Sequence, residues 1–121
     1  MSQAPVLKGR SVLVVEDQYL VAQGMKRAVH DLGGKVLGPV PTVAAALAII
    51  EVDAPDLALL DVNLGGEQIF PALLELNHRG IPYIFATGYE LSVLAPEHRK
   101  TPHLEKPVTT RDLAEAVRKL F

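Results

Sequence analysis

Residues 57–65 read Leu-Ala-Leu-Leu-Asp-Val-Asn-Leu-Gly. An apolar run stops at one carboxylate, Asp61, and a turn sequence follows at once. Short apolar runs bounded by turn signals suit strands buried on both faces, and such strands belong to sheets covered by helices on both sides. Asp61 then stands at the carboxyl end of a central strand, where open α/β sheets bind ligands. On its own an aspartate there is also a common way to open a turn. The surrounding pattern decides between the two.

A strand signal at residues 11–15 (Ser-Val-Leu-Val-Val) ends in Glu16-Asp17. Leu20, Val21, Met25, Ala28, Val29 and Leu32 recur at helical spacing, and Gly33-Gly34 stops that helix. Residues 35–40 form a second strand signal, closed by Pro39 and Pro41. Thr42 is placed to cap a helix whose apolar face is Val43, Ala46, Leu47 and Ile50. Pro55 ends it before the central strand, predicted over 56–60. After Gly65-Gly66 a third helix carries Ile69, Leu73 and Leu76. Pro71 is tolerable only in a first turn, which sets its regular part at about 68–79. A fourth strand is predicted over 81–86, ending in Thr87-Gly88. Residues 90–95 make a short, weak helix candidate cut off by Pro96. His103-Leu104-Glu105 is a minimal fifth strand, closed by Lys106-Pro107. A last helix, capped by Thr109 or Thr110, turns Leu113, Val117, Leu120 and Phe121 inward.

Strand and helix signals thus alternate in a (βα)5 pattern. Helical crossovers imply parallel neighbours and right-handed connections. The expected architecture is a flavodoxin-like doubly wound parallel sheet in the order 2-1-3-4-5, with a short or irregular fourth helix.

In that order the ends of strands one, three, four and five meet at one edge. Glu16 and Asp17, Asp61, Thr87 and Lys106 then share a pocket. Crowded carboxylates repel and resist joint ionisation, a conflict that a divalent cation removes. Oxygen ligands without sulfur suit a hard ion, Mg2+ or Mn2+. Asp17 and Asp61 are the best direct ligands, Glu16 reaches through water, and the backbone carbonyl of Asn63 supplies a further oxygen. Lys106 adds a fixed positive charge and Thr87 a hydroxyl. A cation, an ammonium and a hydroxyl around one carboxylate make a cradle for a phosphoryl group, with Asp61 as nucleophile.

Composition narrows the alternatives. The 121 residues carry a net charge of −2, which gives no electrostatic argument for nucleic acid. There is no cysteine, hence no disulfide framework or thiolate metal site. No apolar stretch reaches the ~18 residues of a membrane span, and the N-terminus has no signal-peptide core. A cytoplasmic location is expected. His30, His78, His98 and His103 show no metal-ligand spacing. His98-Arg99-Lys100 reads as a solvated loop, and Gly33-Gly34 belongs to no nucleotide-binding pattern.

Glu16-Asp17, Asp61 after an apolar strand, Thr87 and Lys106-Pro107, in (βα)5 order, resemble the receiver domain of two-component response regulators from end to end. The resemblance implies phosphorylation of Asp61 by a sensor histidine kinase or phosphotransfer protein, Mg2+ dependence and slow self-dephosphorylation. It implies no other enzymatic activity. Phe85-Ala86-Thr87-Gly88-Tyr89 resembles the FATGUY subgroup, as do Leu37-Gly38-Pro39-Val40 and Gly80-Ile81-Pro82. That subgroup is associated with kinases of the HWE and related classes.

Most receivers place Tyr or Phe three residues before the lysine; here it is His103. The usual coupling of threonine to that aromatic ring is therefore in question. Weak helix propensity after Thr87 points instead to reordering of residues 88–96, with Gly88 as hinge. Asn63 and Tyr89 flank the cradle and are positioned to tune access of the hydrolytic water.

A single receiver domain over 1–121 with no output domain is expected, acting through contact with a downstream protein or as a phosphate sink. A non-phosphorylated pseudo-receiver is the alternative from another class. An aspartyl-phosphate phosphatase of haloacid-dehalogenase type fits less well. That chemistry needs Asp-x-Asp on the first strand, whereas Asp61-Val62-Asn63 lies on the third.

Overall fold

The computed structural model describes residues 4–64, 69–88 and 101–121. Within them the chain runs β1 (Ser11–Val15), α1 (Tyr19–Asp31), β2 (Lys35–Val40), α2 (Val43–Val52), β3 (Leu57–Asp61), α3 (Phe70–His78), β4 (Tyr83–Thr87), β5 (His103–Glu105) and α4 (Thr110–Leu120). The five strands form one sheet in the order β2-β1-β3-β4-β5. Every neighbouring pair is parallel. The expected doubly wound architecture is therefore observed.

Residues alternate between the two faces of the sheet, so each strand feeds two cores. Val12 and Val14 of β1, Leu57 and Leu59 of β3, and Ile84 and Ala86 of β4 pack with Met25, Val29, Leu113 and Val117 of α1 and α4. Leu13, Val15, Ala58, Leu60 and Phe85 pack with Val43, Ala46, Ile50, Leu73 and Leu76 of α2 and α3. β3 is buried along its whole length, as its apolar run requires. Asp61 is held at a fixed depth because the two residues before it anchor opposite cores.

Helix ends follow local chemistry. Thr42 accepts a hydrogen bond from Ala45 N–H at 3.1 Å and caps α2. Thr109, rather than Thr110, caps α4 by accepting from Asp112 N–H at 3.1 Å. Pro71 lies in the first turn of α3. Gly33 follows α1 with φ +84°, the left-handed conformation that releases the chain into β2. Pro39 is tolerated inside β2 because that strand is an edge and its pairing with β1 is irregular between Leu13 and Val15.

Some expectations are corrected. Leu20 does not join the buried stripe of α1; it is 82% exposed, because it occupies the helix's first turn on the far side from Ala22 and Met25. Phe121 does not turn inward either. It follows the last turn of α4, 47% exposed, with the Arg10 guanidinium 3.8 Å over its ring. β4 begins at Tyr83 rather than at Ile81: Ile81 N–H still donates to the Leu76 carbonyl of α3, and Pro82, which has no N–H, meets β3 only by accepting from Ala58 N–H. The third helix begins at Phe70 rather than at 68, with Ile69 at its N-cap. The weak helix at 90–95, and with it the expected fourth helix of the (βα)5 pattern, lies outside the described residues. So do Tyr89, His98, Arg99 and Lys100.

Candidate functional site

The register that aligns β1 with β3 and β3 with β4 also aligns their ends. Val15 pairs with Leu60, and Asp61 with Ala86. Glu16, Asp61 and Thr87 therefore leave the sheet at one edge, and Lys106 follows the end of β5. Three polar side chains are buried there: Glu16 (3% exposed), Asp61 (1%) and Thr87 (0%). Asp17 is exposed at the rim.

Lys106 joins the acids. Its Nζ lies 2.9 Å from Glu16 Oε1 and 2.9 Å from Asp61 Oδ1. Asp61 Oδ1 also accepts from Asn63 N–H at 3.0 Å, which fixes the carboxylate from the turn that follows it. Glu16 Oε2 accepts from Asp17 N–H at 3.0 Å and, more weakly, from Gln18 N–H at 3.4 Å. Glu16 Oε1 is buried without an aligned hydrogen bond among the described residues. Its contact with Lys106 is therefore an ion pair by distance alone.

Burial raises the Glu16 carboxyl from 4.5 to about 7, and contact with Asp61 adds to the effect; Lys106 opposes it. For Lys106 burial works against the ammonium. Close contact with Glu16 and Asp61 and the charge of both acids outweigh it, and its pKa lies above the usual 10.5.

Glu16, Asp17 and Asp61 each offer a carboxylate oxygen, and these oxygens lie within 4.8 Å of one another. An all-oxygen donor set with an unaligned buried lone pair fits a hard divalent cation. Three acids against one lysine leave an excess of negative charge that such an ion offsets.

Thr87 has a different setting from the one expected. Its hydroxyl donates to the Leu104 carbonyl at a long 3.5 Å, and its own carbonyl accepts from Lys106 N–H at 2.7 Å. Thr87 thus sits on the seam between β4 and β5, directly tied to the backbone of the site lysine. His103 is exposed on β5, with Nδ1 3.2 Å from the Thr101 carbonyl; its contact is with its own strand's approach and not with the acids. Gly88, the proposed hinge, forms a half-buried bend after β4.

Sequence reading placed Lys106 near the acids but missed that it bridges two of them. It also missed the amides of Asn63, Asp17 and Gln18 as the groups that orient the carboxylates. The signal for these was available, since a carboxylate at a strand end commonly accepts from the amides of the turn it opens.

The fold and site together define an α/β domain with an acid-lysine pocket at the carboxyl edge of its sheet. The chain belongs to the response regulator receiver domain family, whose pattern matches residues 12–118. It is similar to the solution structure of SdrG from Sphingomonas melonis Fr1, with 39% identity, a TM-score of 0.83, and 95% of this chain and 97% of that one covered. It is similar to the response regulator PhyR from Brucella abortus, with 28% identity and a TM-score of 0.76 over 94% of this chain and 49% of that one. Among curated proteins it is 34% identical to the positive alginate biosynthesis regulatory protein of Pseudomonas aeruginosa, over 90% of this chain and 46% of that protein. The chain spans about half the length of the curated relatives it matches.

Proposed function

We propose that this receiver accepts a phosphoryl group on Asp61 from a histidine kinase or phosphotransfer protein and signals through protein contact. The observation that carries the proposal is the shared grip on one oxygen. Lys106 Nζ and Asn63 N–H both hold Asp61 Oδ1, so Oδ2 is the oxygen presented for attack. It attacks phosphorus as the phosphorus–nitrogen bond of the phosphohistidine breaks, and the electron pair of that bond returns to the imidazole.

Lys106 stays beside the acyl phosphate and offsets its charge. The loosely engaged Thr87 hydroxyl exchanges the Leu104 carbonyl for a phosphoryl oxygen. Mg2+ or Mn2+ held by Asp17, Asp61, Glu16 and the Asn63 carbonyl would supply neutralisation of the phosphoryl oxygens when bound. The proposed chemistry ends with hydrolysis of the acyl phosphate, with no turnover of a further substrate.

Membership of the FATGUY subgroup and an HWE-class kinase partner are part of the same reading, supported by the sequence of residues 85–89. A receiver that acts alone is part of the same reading. PhyR from Bartonella quintana is described as an anti-anti-sigma factor, but the likeness covers 49% of that chain, and we carry no such role over.

Beryllofluoride with Mg2+ tests the reading by amide NMR on the wild type and Asp61→Ala. Shifts around Asp17, Asp61, Thr87 and Lys106 that vanish in the variant are expected. A folded wild-type protein that does not respond would make the domain a pseudo-receiver. Further shifts in 88–96 would locate the conformational response.

A further inference from the structure

Asp61 and Lys106 are an acid and an amine held in contact, with both side chains largely removed from water. A free carboxylate makes only an ion pair with such an amine. An acyl phosphate is an activated acyl group, and a neighbouring amine is a nucleophile for it.

Three features of the pocket match what acyl transfer to nitrogen requires. With Oδ2 phosphorylated, Oδ1 becomes the acyl oxygen, and Lys106 Nζ lies 2.9 Å from it. Cγ is one bond, about 1.2 Å, beyond that oxygen, so a small shift of the lysine brings Nζ to near-attack distance. Asn63 N–H already donates to Oδ1 at 3.0 Å, where negative charge develops when Cγ becomes tetrahedral. Glu16 Oε1 lies 2.9 Å from the same Nζ and has no aligned hydrogen bond among the described residues, which leaves it a lone pair for a proton.

We propose that in a small share of phosphorylation cycles Lys106 attacks the Asp61 acyl phosphate and joins the two side chains by an amide bond, a covalent end to signalling by that molecule. One ammonium proton passes to Glu16 Oε1, and the freed electron pair of Nζ bonds to Cγ. The Cγ–Oδ2 bond breaks with its electrons going to phosphate, and a second Nζ proton leaves with the phosphate. The neutral amine is scarce: about one lysine in a thousand is neutral near pH 7.4, and contact with two acids lowers that share here. Effective molarities of ~10⁵ M or more for groups held at this range offset the scarcity. Hydrolysis returns Asp61 to the cycle and the amide does not, so linked protein accumulates with the number of cycles. The inference rests on the reading of Asp61 as phosphoacceptor.

The test incubates the whole chain with acetyl phosphate and Mg2+ and follows its intact mass. A species heavier by one phosphoryl group is expected first, then a slowly growing species lighter than the starting protein by one water. The lighter species should resist hydroxylamine, which cleaves acyl phosphates, and on digestion should yield a peptide pair joining Asp61 to Lys106. It should not respond to beryllofluoride, and it should unfold at a higher temperature because the new bond closes the chain between β3 and the end of β5. Lys106→Arg keeps the positive charge and should give no lighter species. A phosphoryl mass that decays only to the starting mass would overturn this inference and leave the receiver reading standing. No phosphoryl mass at all would overturn both. A lighter species that persists in Lys106→Arg, or whose lost water maps to Asp61 and Val62 alone, is a backbone imide and would overturn the Lys106 linkage.

Discussion

Lys106 Nζ stands 2.9 Å from Asp61 Oδ1, and it is the same atom that stands 2.9 Å from Glu16 Oε1. One ammonium thus holds two buried carboxylates together. Removing it in Lys106→Met leaves both acids buried without their cation. Breaking one side of a buried pair costs about 3 kcal/mol at the low end of the usual range. The loss should be larger at pH 8 than at pH 5, where Glu16 takes up a proton instead. Urea denaturation at the two pH values checks this, and equal losses would count against the bridge.

The Glu16 carboxyl gives a second expectation. Its pKa is about 7 in the fold against 4.5 when unperturbed. Between those values the native state holds a proton that the unfolded chain has released. Stability must therefore fall as pH rises from about 5 to 7 and level off above. Lys106 adds no slope there: its raised pKa contributes stability that is complete below 10.5 and lost only at higher pH. Glu16→Gln should flatten the slope and make the protein more stable than wild type at pH 8. Mg2+ should bind more tightly as pH rises through 7, since its site needs the ionised acid. Thermal melts across pH, with and without Mg2+, read all three effects.

Two glycines separate steric from backbone cost. A Cβ on Gly34 would lie 2.8 Å from Val29 Cγ1 and 3.1 Å from Leu7 Cβ, both in the core. Overpacking of that kind costs about 1–3 kcal/mol. Gly80 has φ +69° with nothing within 4 Å of a built Cβ, so Gly80→Ala meets only the left-handed backbone penalty, about 1 kcal/mol. Denaturant midpoints should rank Gly34→Ala below Gly80→Ala, and Val29→Ala should partly rescue only the first.

Much of this was legible in the chain because strands buried on both faces declare themselves. Residues 57–61 are apolar until Asp61, and the fold buries all of them. The order of strands then brings Glu16, Asp61, Thr87 and Lys106 to one edge without any side-chain detail. Leu20 and Phe121 escaped because periodicity is weakest at helix ends, where one residue can face either way. The Lys106 bridge escaped for a different reason. Sequence spacing fixes which strand end a residue occupies, but whether an ammonium meets one acid or two depends on ångström-scale depth. Thr87 shows the same limit: its place at the edge was foreseen, and its bond to the Leu104 carbonyl was not.

Asp17 allows metal binding to be separated from folding. Of the three clustered acids it alone is exposed, while Glu16 and Asp61 are buried with Lys106 between them. Asp17→Asn removes one ligand charge and leaves the bridge intact. Its stability without metal should stay within about 0.5 kcal/mol of wild type, as for exposed positions elsewhere. Hard-ion affinity follows the number of ligand charges, so Mg2+ should bind about tenfold more weakly or worse. Amide shifts of Glu16, Asp61 and Asn63 during an Mg2+ titration measure the change. Unaltered Mg2+ affinity in a folded Asp17→Asn protein would take Asp17 out of the metal site, and place the excess charge on Glu16 and Asp61 alone.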